Sequence, residues 1–253
     1  MKYLTFVIVA LFFFCSVHGS ARNNNWEPVK IHGQLQVKGS FLCNGQGDTI
    51  SLRGVSLGWH NLWPRFYNKK AVKWLKDDWK CSVIRAAMGA YEGVEDGYLV
   101  NPEFALNCVE TVVRASIKEN VYVIIDWHAH DFYPELAKQF FASMARKYGK
   151  NPHIIYEIFN EPTHEHSWER IKKYAEEVIA EIRKYDPDNL IIVGTPSWDQ
   201  HVDIVANNPI VGYENIMYSL HFYAASHKEE LRNRVAKALE KDLPLFVTEC
   251  AGM

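Results

Sequence analysis

The sequence lacks the features that mark several large classes of protein. Its charges nearly balance, with 28 Lys and Arg against 30 Asp and Glu and a formal net charge of -2. Nucleic acids and anionic membranes are bound by basic surfaces, so neither is expected as a partner. No G-x-G-x-x-G turn follows an apolar run, which argues against a dinucleotide-binding domain. No two cysteines form a C-x-x-C pair, so we expect no structural zinc site.

Long apolar runs are also missing after the first twenty residues. Lys2 is followed by a mainly apolar run, 4–14, and then by small residues. This run is too short to span a bilayer, and its charged start and small-residue end are typical of a cleaved secretory leader. We predict a signal peptide over residues 1–19, a flexible N-terminal segment over 20–30 and one globular domain over 31–253. The mature protein is expected to be secreted, free of the membrane and monomeric.

Four cysteines remain after the predicted leader. They are Cys43, Cys81, Cys108 and Cys250. An exported protein can form disulfides, and four cysteines allow three complete pairings. The sequence favours none of the three.

The rest of the chain alternates between short apolar runs and amphipathic helical patterns. Seven runs rich in Val and Ile are predicted as strands: 49–55, 82–88, 121–127, 154–159, 190–194, 216–222 and 245–248. Continuous apolarity is typical of parallel strands that are covered on both faces. Helical patterns lie between them, and Asn68, Asn101 and Ser167 are candidate N-caps. Before the first strand, residues 31–42 predict a small hairpin.

Repeated strand–helix units predict a parallel sheet. A (β/α)8 TIM barrel is the leading architecture at this length, and a doubly wound sheet is the alternative. Only seven strands can be counted, and the chain stops four residues after Glu249. We therefore expect an α/β fold, a TIM barrel truncated after strand 7 with a short N-terminal hairpin. Because such a barrel has two unpaired edges, we expect the chain as written to be poorly stable or nearly inactive.

The carboxyl ends of the predicted strands carry acids, histidines and aromatic residues. In a barrel these ends share one rim, where catalytic groups gather. In chain order the candidates are His60, Arg85, His128, Asn160, Glu161, Trp198, His221, Tyr223 and Glu249. Each alone has a structural explanation, such as a histidine that only holds backbone groups. Their joint occurrence at equivalent places in successive units indicates an active site.

Two of these residues fit the chemistry of retaining glycosidases. Glu161 and Glu249 follow strands four and seven, which lie on opposite sides of a barrel mouth. Retaining glycosidases use two carboxyl groups about 5–5.5 Å apart. Glu161 is the predicted acid/base and Glu249 the predicted nucleophile. We expect Arg85 to hold Glu249 ionised, and the charge of Glu249 to favour the protonated form of Glu161.

A set of short motifs runs through nearly the whole mature chain. The motifs are His32-Gly33-Gln34-Leu35, Val83-Ile84-Arg85-Ala86-Ala87-Met88, Asp126-Trp127-His128, Ile158-Phe159-Asn160-Glu161-Pro162, His221-Phe222-Tyr223 and Phe246-Val247-Thr248-Glu249. As a set and in this order they resemble glycoside hydrolase family 5, and most strongly its endoglucanase (cellulase) branch. The chain departs from the family at Cys250, where an aromatic residue usually follows the nucleophile.

The resemblance implies a retaining endo-β-1,4-glucanase that cuts internal bonds of cellulose-type glucans, without a metal or an organic cofactor. Under it, Glu161 is the acid/base and Glu249 the nucleophile. The substrate-binding residues that it implies are Arg85, His128, Asn160, His221, Tyr223, Trp198 and His60. Mannan, xyloglucan and mixed-linkage glucan remain alternative substrates for the same fold.

Two other interpretations of the rim residues differ in class. His128-x-His130 has the spacing of a metal-binding pair in barrel hydrolases. The later strands, however, end in Glu161 and Ser197 rather than in further histidines or a lysine. A non-catalytic sugar-binding protein would keep the groove, but it would have no use for the pair of glutamates.

Overall fold

The computed structural model describes residues 26–91, 93 and 95–252. The predicted signal peptide and residues 20–25 lie outside the described residues. A short helix, α1 (Pro28–His32), begins at a proline and ends at Gly33, which has a positive φ of 66°. This helix includes residues 28–30 of the segment that was predicted to be flexible. No helix in the described part of the chain has the length and apolarity needed to span a membrane.

Seven parallel strands form the centre of the fold. They are β3 (Gly54–Ser56), β4 (Val83–Gly89), β5 (Tyr122–His128), β6 (Ile154–Glu157), β7 (Leu190–Val193), β8 (Ile216–Tyr223) and β9 (Leu245–Ala251). They pair in chain order, each with the next. A separate antiparallel hairpin, β1 (Gln36–Lys38) and β2 (Phe41–Cys43), precedes them. The predicted truncated TIM barrel with its N-terminal hairpin is confirmed, and the doubly wound alternative is wrong because the strand order never reverses.

Helices cover the outside of the strands. The long ones are α2 (Lys69–Asp77), α3 (Pro102–Glu119), α4 (Pro134–Tyr148), α5 (Trp168–Arg183) and α8 (Glu229–Leu239). A 3-10 turn (Pro64–Phe66) and two short segments, α6 (Pro196–Asp199) and α7 (Val202–Val205), complete the set of described helices. The predicted N-caps Asn68, Asn101 and Ser167 are confirmed, since each side chain accepts a hydrogen bond from the first turn of its helix. These caps satisfy backbone donors that a helix start leaves unpaired.

The barrel is open on one side. Strands β3 and β9 are the two ends of the sheet, and no described strand pairs with the outer side of either. Val247 on β9 is 42% exposed, whereas every residue of β4 and β5 is buried. Apolar grooves flank the opening, one lined by Val55 and Trp74 and the other by Leu231 and its neighbours. The described residues thus supply seven strands and no eighth.

All four cysteines that follow the predicted leader carry free thiols in the described structure. Cys43, Cys81 and Cys108 are buried, and Cys250 is exposed. Burial raises the pKa of the Cys81 thiol, and burial also raises the pKa of the Cys108 thiol, to about 11. Both thiols are therefore protonated and weakly nucleophilic at neutral pH.

Candidate active site

Alternation along the strands turns the polar side chains into the barrel mouth. On β5, Tyr122 and Ile124 belong to the core inside the barrel. Because successive side chains of a strand point to opposite faces, Asp126 and His128 share this inner face. The same alternation applies to three other strands, where a polar residue lies two or four positions after a residue of the inner core and therefore faces the inside of the barrel. These pairs are Val83 and Arg85, Ile155 and Glu157, and Met217 and His221.

Arg85 lies at the centre of the mouth, with only 3% of its side chain exposed. Its Nε and Nη2 donate to the two oxygens of Glu157 at 2.7 and 3.1 Å. Nη2 also donates to Oδ1 of Asn160 at 2.7 Å and lies 2.9 Å from Oδ2 of Asp126. Nη1 donates to Oε2 of Glu249 at 3.0 Å. Burial lowers the pKa of Arg85, but the carboxylates around it outweigh burial and raise the pKa well above its usual value.

Glu249 is oriented by two donors. Arg85 donates to Oε2, and the hydroxyl of Tyr223 donates to Oε1 at 2.9 Å. Burial, with the nearby Glu249 carboxyl, raises the pKa of Tyr223 to about 12. Tyr223 therefore keeps its proton and remains a donor at neutral pH. Each carboxylate oxygen of Glu249 is thus held by a separate side chain.

Glu161 is held by His221. Nδ1 of His221 lies 2.9 Å from Oε1 of Glu161, and its Nε2 lies 2.7 Å from Oγ1 of Thr248. One oxygen each from Glu161 and Glu249 and one nitrogen of His221 lie within 4.8 Å of one another. Glu161, in the loop after β6, and Glu249, on β9, therefore meet across the mouth.

The charge on His221 decides the protonation of Glu161. Burial lowers the pKa of His221, but the negative charge of Asp199 and hydrogen bonds to Glu157 and Glu161 raise it to about 10. Burial in turn raises the pKa of Glu161, but the hydrogen bond and charge of His221 outweigh burial and lower it. The expectation that Glu249 keeps Glu161 protonated is therefore wrong for this arrangement, because the adjacent imidazolium has the larger effect.

A metal ion fits this trio poorly. Glu161, His221 and Glu249 are, within the described residues, the one group of three such donors close enough to share an ion. A histidine binds a metal through the lone pair of a deprotonated ring nitrogen. Both ring nitrogens of His221 are engaged in hydrogen bonds, and its raised pKa keeps the ring protonated. The donor set therefore suits proton transfer.

His128 and His130, considered above as a metal pair, have different partners. Nδ1 of His128 lies 2.7 Å from Oδ2 of Asp126. Burial, helped by Arg85, lowers the pKa of His128 well below its usual value, so the neutral ring donates to Asp126. Nδ1 of His130 lies 3.2 Å from the backbone oxygen of Glu161. The two rings therefore contact different groups: His128 contacts the carboxyl of Asp126, and His130 contacts the backbone oxygen of Glu161.

His60 is fully buried and does not join the polar cluster. The backbone N–H of Gly89 donates to its Nδ1 at 2.9 Å. Nε2 therefore carries the hydrogen and donates to the backbone oxygen of Asp96 at 3.0 Å. Burial lowers the pKa of His60 to about 4. Because both nitrogens hold backbone groups, the structure gives His60 a structural role in place of the predicted sugar contact.

Trp198 lies on an unusual turn beside the mouth. Ser197, Trp198 and Asp199 have successive positive φ angles of 57°, 56° and 60°. Left-handed conformations cost a residue other than glycine about 1–3 kcal/mol and persist only where surrounding contacts fix them. Here the backbone N–H of Trp198 donates to the oxygen of Pro162 at 2.8 Å. The turn leaves Trp198 39% exposed and buries Asp199 completely.

Two groups of aromatic rings contact residues of the site. The ring of Trp198 is tilted against that of His164, with centroids 5.3 Å apart. Trp59 packs against His128 at 4.6 Å and against Tyr91 at 6.4 Å. Flat, partly exposed rings of this kind provide apolar surfaces on which ligands can stack.

The comparison with known families agrees with the motifs. The chain matches the model for cellulase (glycosyl hydrolase family 5) over residues 43–253. The chain belongs to glycoside hydrolase family 5. Endoglucanase Z of Dickeya dadantii is 46% identical over 249 residues, which cover 94% of this chain and 57% of that protein. The chain spans about half the length of the curated relatives it matches.

Solved structures of other proteins share the fold. A protein from Cytophaga hutchinsonii has a TM-score of 0.85 and 50% identity, covering 88% of this chain and 72% of that one. The catalytic domain of a Thermobifida fusca endoglucanase, solved in complex with cellotetraose, has a TM-score of 0.82 and 37% identity over 89% of this chain and 76% of that one.

The family 5 motifs account for only part of the network. Glu157, Asp199 and Thr248 have direct contacts with Arg85 or His221, yet none was singled out as a site residue. A signal for Glu157 is present, because it is the one charged residue inside the apolar run 154–159. A charged residue within a buried strand requires a partner. Asp199 and Thr248 carry no such signal.

Proposed function

We propose that the protein is a retaining endo-β-1,4-glucanase that hydrolyses internal bonds of cellulose-type glucans by double displacement. The observation that carries the proposal is the approach of the Glu161 and Glu249 carboxyl oxygens to within 4.8 Å. Retaining glycosidases hold their carboxyl groups about 5–5.5 Å apart, whereas inverting ones leave about 6.5–9.5 Å for a water molecule. The shorter spacing supports direct attack on the sugar.

In the first step, Glu249 attacks the anomeric carbon and the glycosidic C–O bond breaks. Arg85 and Tyr223 orient the attacking carboxylate. The leaving oxygen takes a proton from Glu161. That proton is available from the Glu161–His221 pair, because Nδ1–H of His221 lies 2.9 Å from the carboxylate. Transfer breaks the N–H bond, forms an O–H bond and leaves His221 neutral.

In the second step, water replaces the departed sugar. Glu161, now ionised, removes a proton from the water as its oxygen bonds to the anomeric carbon. The bond to Glu249 breaks and the product leaves with its original configuration. The proton that Glu161 gains from the water can then return to Nδ1 of His221, 2.9 Å away, which restores the cationic ring for the next cycle.

The surroundings of the two glutamates suit a polymer of sugars. Nδ2 of Asn160 is buried and has no hydrogen-bond partner among the described residues, so it can donate to a sugar hydroxyl next to Glu249. Two separate aromatic rings near the site, Trp59 beside His128 and Trp198 beside His164, support binding of a substrate with several sugar rings. The endoglucanase names of the relatives and the cellotetraose complex of one of them support a β-glucan.

The direct test is hydrolysis of defined substrates. We expect release of reducing ends from carboxymethyl cellulose with a rapid fall in viscosity, and slower cleavage of mannan, xyloglucan and mixed-linkage glucan. A Glu161→Gln variant serves as the control. Proton NMR of freshly cleaved cello-oligosaccharides should show the β-anomer first. Early α-anomer would contradict retention, and binding without cleavage would favour a sugar-binding protein. If the chain alone is too weakly active, the eighth strand and helix of a relative are appended to the parent and to every variant.

Substrate stacking gives a further prediction. Trp198→Ala should raise KM for cello-oligosaccharides about tenfold, since a stacking surface of this kind is worth on the order of 1 kcal/mol beyond the area it buries. Trp79→Ala is the matched control, because Trp79 is also exposed but lies in the groove beside α2. Equal KM values in the two variants would refute a sugar platform at Trp198.

We also propose that the protein is secreted. The support is the charged start, short apolar run and small residues of the first twenty positions. Amino-terminal sequencing of protein recovered from the culture medium should find Ser20 as the first residue. Retention of the leader on protein found only inside cells would contradict export.

A further inference from the structure

Asp199 is a buried carboxylate whose two oxygens have different surroundings. It is fully buried at the end of the left-handed turn. Its Oδ1 accepts a hydrogen bond from the backbone N–H of Thr195. Its Oδ2 has no hydrogen-bond partner among the described residues, but it lies 3.3 Å from Nε2 of His221. A charge of this kind is costly to bury unless it is paired.

Three other groups face His221, and none of them is an acceptor that is both free and unable to donate. Oε1 of Glu157 on β6 is 3.8 Å away, and that carboxylate is already bound on both oxygens by Arg85 on β4. The hydroxyl of Thr248 on β9 is closer, at 2.7 Å, but a hydroxyl either donates or accepts. On the opposite side of the ring, Nδ1 faces Glu161 in the loop after β6.

Asp199 differs from these neighbours. An ionised carboxylate only accepts hydrogen bonds, and no cation other than His221 contacts Oδ2 among the described residues. Burial raises the pKa of Asp199 well above its usual value, and the positive charge of His221 counteracts this effect by favouring the ionised carboxylate.

We propose that Asp199 is a positioning residue that keeps a hydrogen on Nε2 of His221, so that the hydrogen on Nδ1 is free to move to Glu161. The inference rests on the proposed role of Glu161 as proton donor. With Nε2–H fixed, loss of the Nδ1 proton to Glu161 leaves an ordinary neutral imidazole. If Nε2 carries no hydrogen, the ring has a single hydrogen, on Nδ1, and it cannot transfer that hydrogen to Glu161. Asp199 therefore acts through the tautomer of His221.

The discriminating variant is Asp199→Asn. The N–H of Thr195 needs an acceptor, so the amide oxygen of the new side chain faces Thr195 and its NH2 group faces His221. Nε2 of His221 then becomes an acceptor. Asp186→Asn is the matched control, because Asp186 is also fully buried and also accepts backbone N–H groups, but at the opposite end of the barrel, before β7.

The first readout is independent of activity. Nitrogen-15 NMR of the histidine rings, with His221 assigned from a His221→Gln variant, is recorded above the titration midpoint of His221, where the ring is neutral and carries one hydrogen. That hydrogen should lie on Nε2 in the parent and in Asp186→Asn. In Asp199→Asn it should lie on Nδ1, and the titration midpoint of His221 should fall by about 1–2 pH units. An unchanged Nε2 signal and midpoint in Asp199→Asn would overturn the proposal.

The second readout depends on the proposed function. Asp199→Asn should lower kcat on cello-oligosaccharides by about 100-fold, the lower range for loss of general acid catalysis. Its rate of glycosylation by 2,4-dinitrophenyl cellobioside, whose leaving group needs no proton, should stay within about twofold of the parent. Equal losses on both substrates would overturn the proposal. If the protein cleaves neither substrate, the proposed function fails, and the His221 titration still decides the tautomer.

A second variant tests the proposal even if Asp199→Asn does not fold. Thr248→Val removes the closer hydroxyl from Nε2 but leaves the Asp199 carboxylate. The proposal expects His221 to keep its Nε2 hydrogen in this variant. Loss of that hydrogen would assign its position to Thr248 and would refute the role of Asp199.

Discussion

Replacing Glu249 with alanine is expected to lower kcat on cello-oligosaccharides by on the order of 10⁴-fold or more. The substitution removes the nucleophile, and Arg85 and Tyr223 cannot replace it because both are donors. Initial rates of reducing-sugar release measure the loss. Glu230→Ala, an exposed glutamate on α8, should keep the parent rate. A Glu249→Ala variant within tenfold of the parent would remove Glu249 from the mechanism.

Azide distinguishes the roles of the two glutamates. In Glu249→Ala, azide can attack from the face that the carboxylate occupied, while Glu161 still protonates the leaving group, so the product should be an α-glycosyl azide. In Glu161→Ala, an aryl glycoside still forms the glycosyl-enzyme, and azide then attacks the other face to give a β-glycosyl azide. NMR of the products identifies each anomer. The same anomer from both variants would exclude double displacement.

Replacing Arg85 with methionine should lower the free energy of unfolding by about 3–5 kcal/mol, because it leaves buried carboxylates without their cation. Glu157 and Asp126 are both fully buried beside Arg85. Denaturant titration measures the change. Arg146→Met is the control, since Arg146 lies exposed on α4 against Tyr185, and it should cost less than about 1 kcal/mol.

The cost of Arg85→Met should depend on pH. Burial raises the pKa of Glu157, but Arg85 and His221 outweigh burial and lower it to about 2 from an ordinary value of 4.5. A group with a lowered pKa stabilises the fold above its ordinary pKa, and the stabilisation is lost as the pH falls through the lowered value. The difference between parent and variant should therefore shrink between pH 4.5 and 2.

A double variant separates pairing from packing. Adding Glu157→Gln to Arg85→Met removes one of the charges that Arg85 leaves behind, so part of the lost stability should return. A double variant that is less stable than Arg85→Met alone would show that the arginine acts mainly by filling space.

Most strands could be located from the sequence because they are buried on both faces and are therefore continuously apolar. Runs such as 121–127 and 190–194 are continuously apolar, and β5 and β7 occupy nearly those residues. The first strand was placed at 49–55, but only Gly54–Ser56 pair with β4. A strand at the open edge of the barrel is not covered on both faces, so apolarity alone does not locate it.

The predicted site residues fall into two groups for a physical reason. The first group lies on the strands or in the loop directly after one, so the geometry of the barrel brings its members together: Arg85, Glu161, His221, Tyr223 and Glu249. His60 lies in a long loop, and its position depends on backbone groups of Gly89 and Asp96 that a sequence does not locate.

The protonation of Glu161 was the hardest property to foresee. It depends on the charge of His221, which depends in turn on Asp199 in a turn with three successive positive φ angles. Residues other than glycine rarely adopt this conformation, and nothing in Pro196-Ser197-Trp198-Asp199 marks it. The direction of the pKa shift thus required the three-dimensional contacts.

The two free borders of the sheet have a consequence for behaviour in concentrated solution. Within the described residues no strand pairs with the outer side of β3 or β9, so both edges can pair with another copy. Because the two edges differ, pairing of β9 with β3 of another copy would join the copies head to tail. Light scattering that rises steeply with protein concentration would report such association.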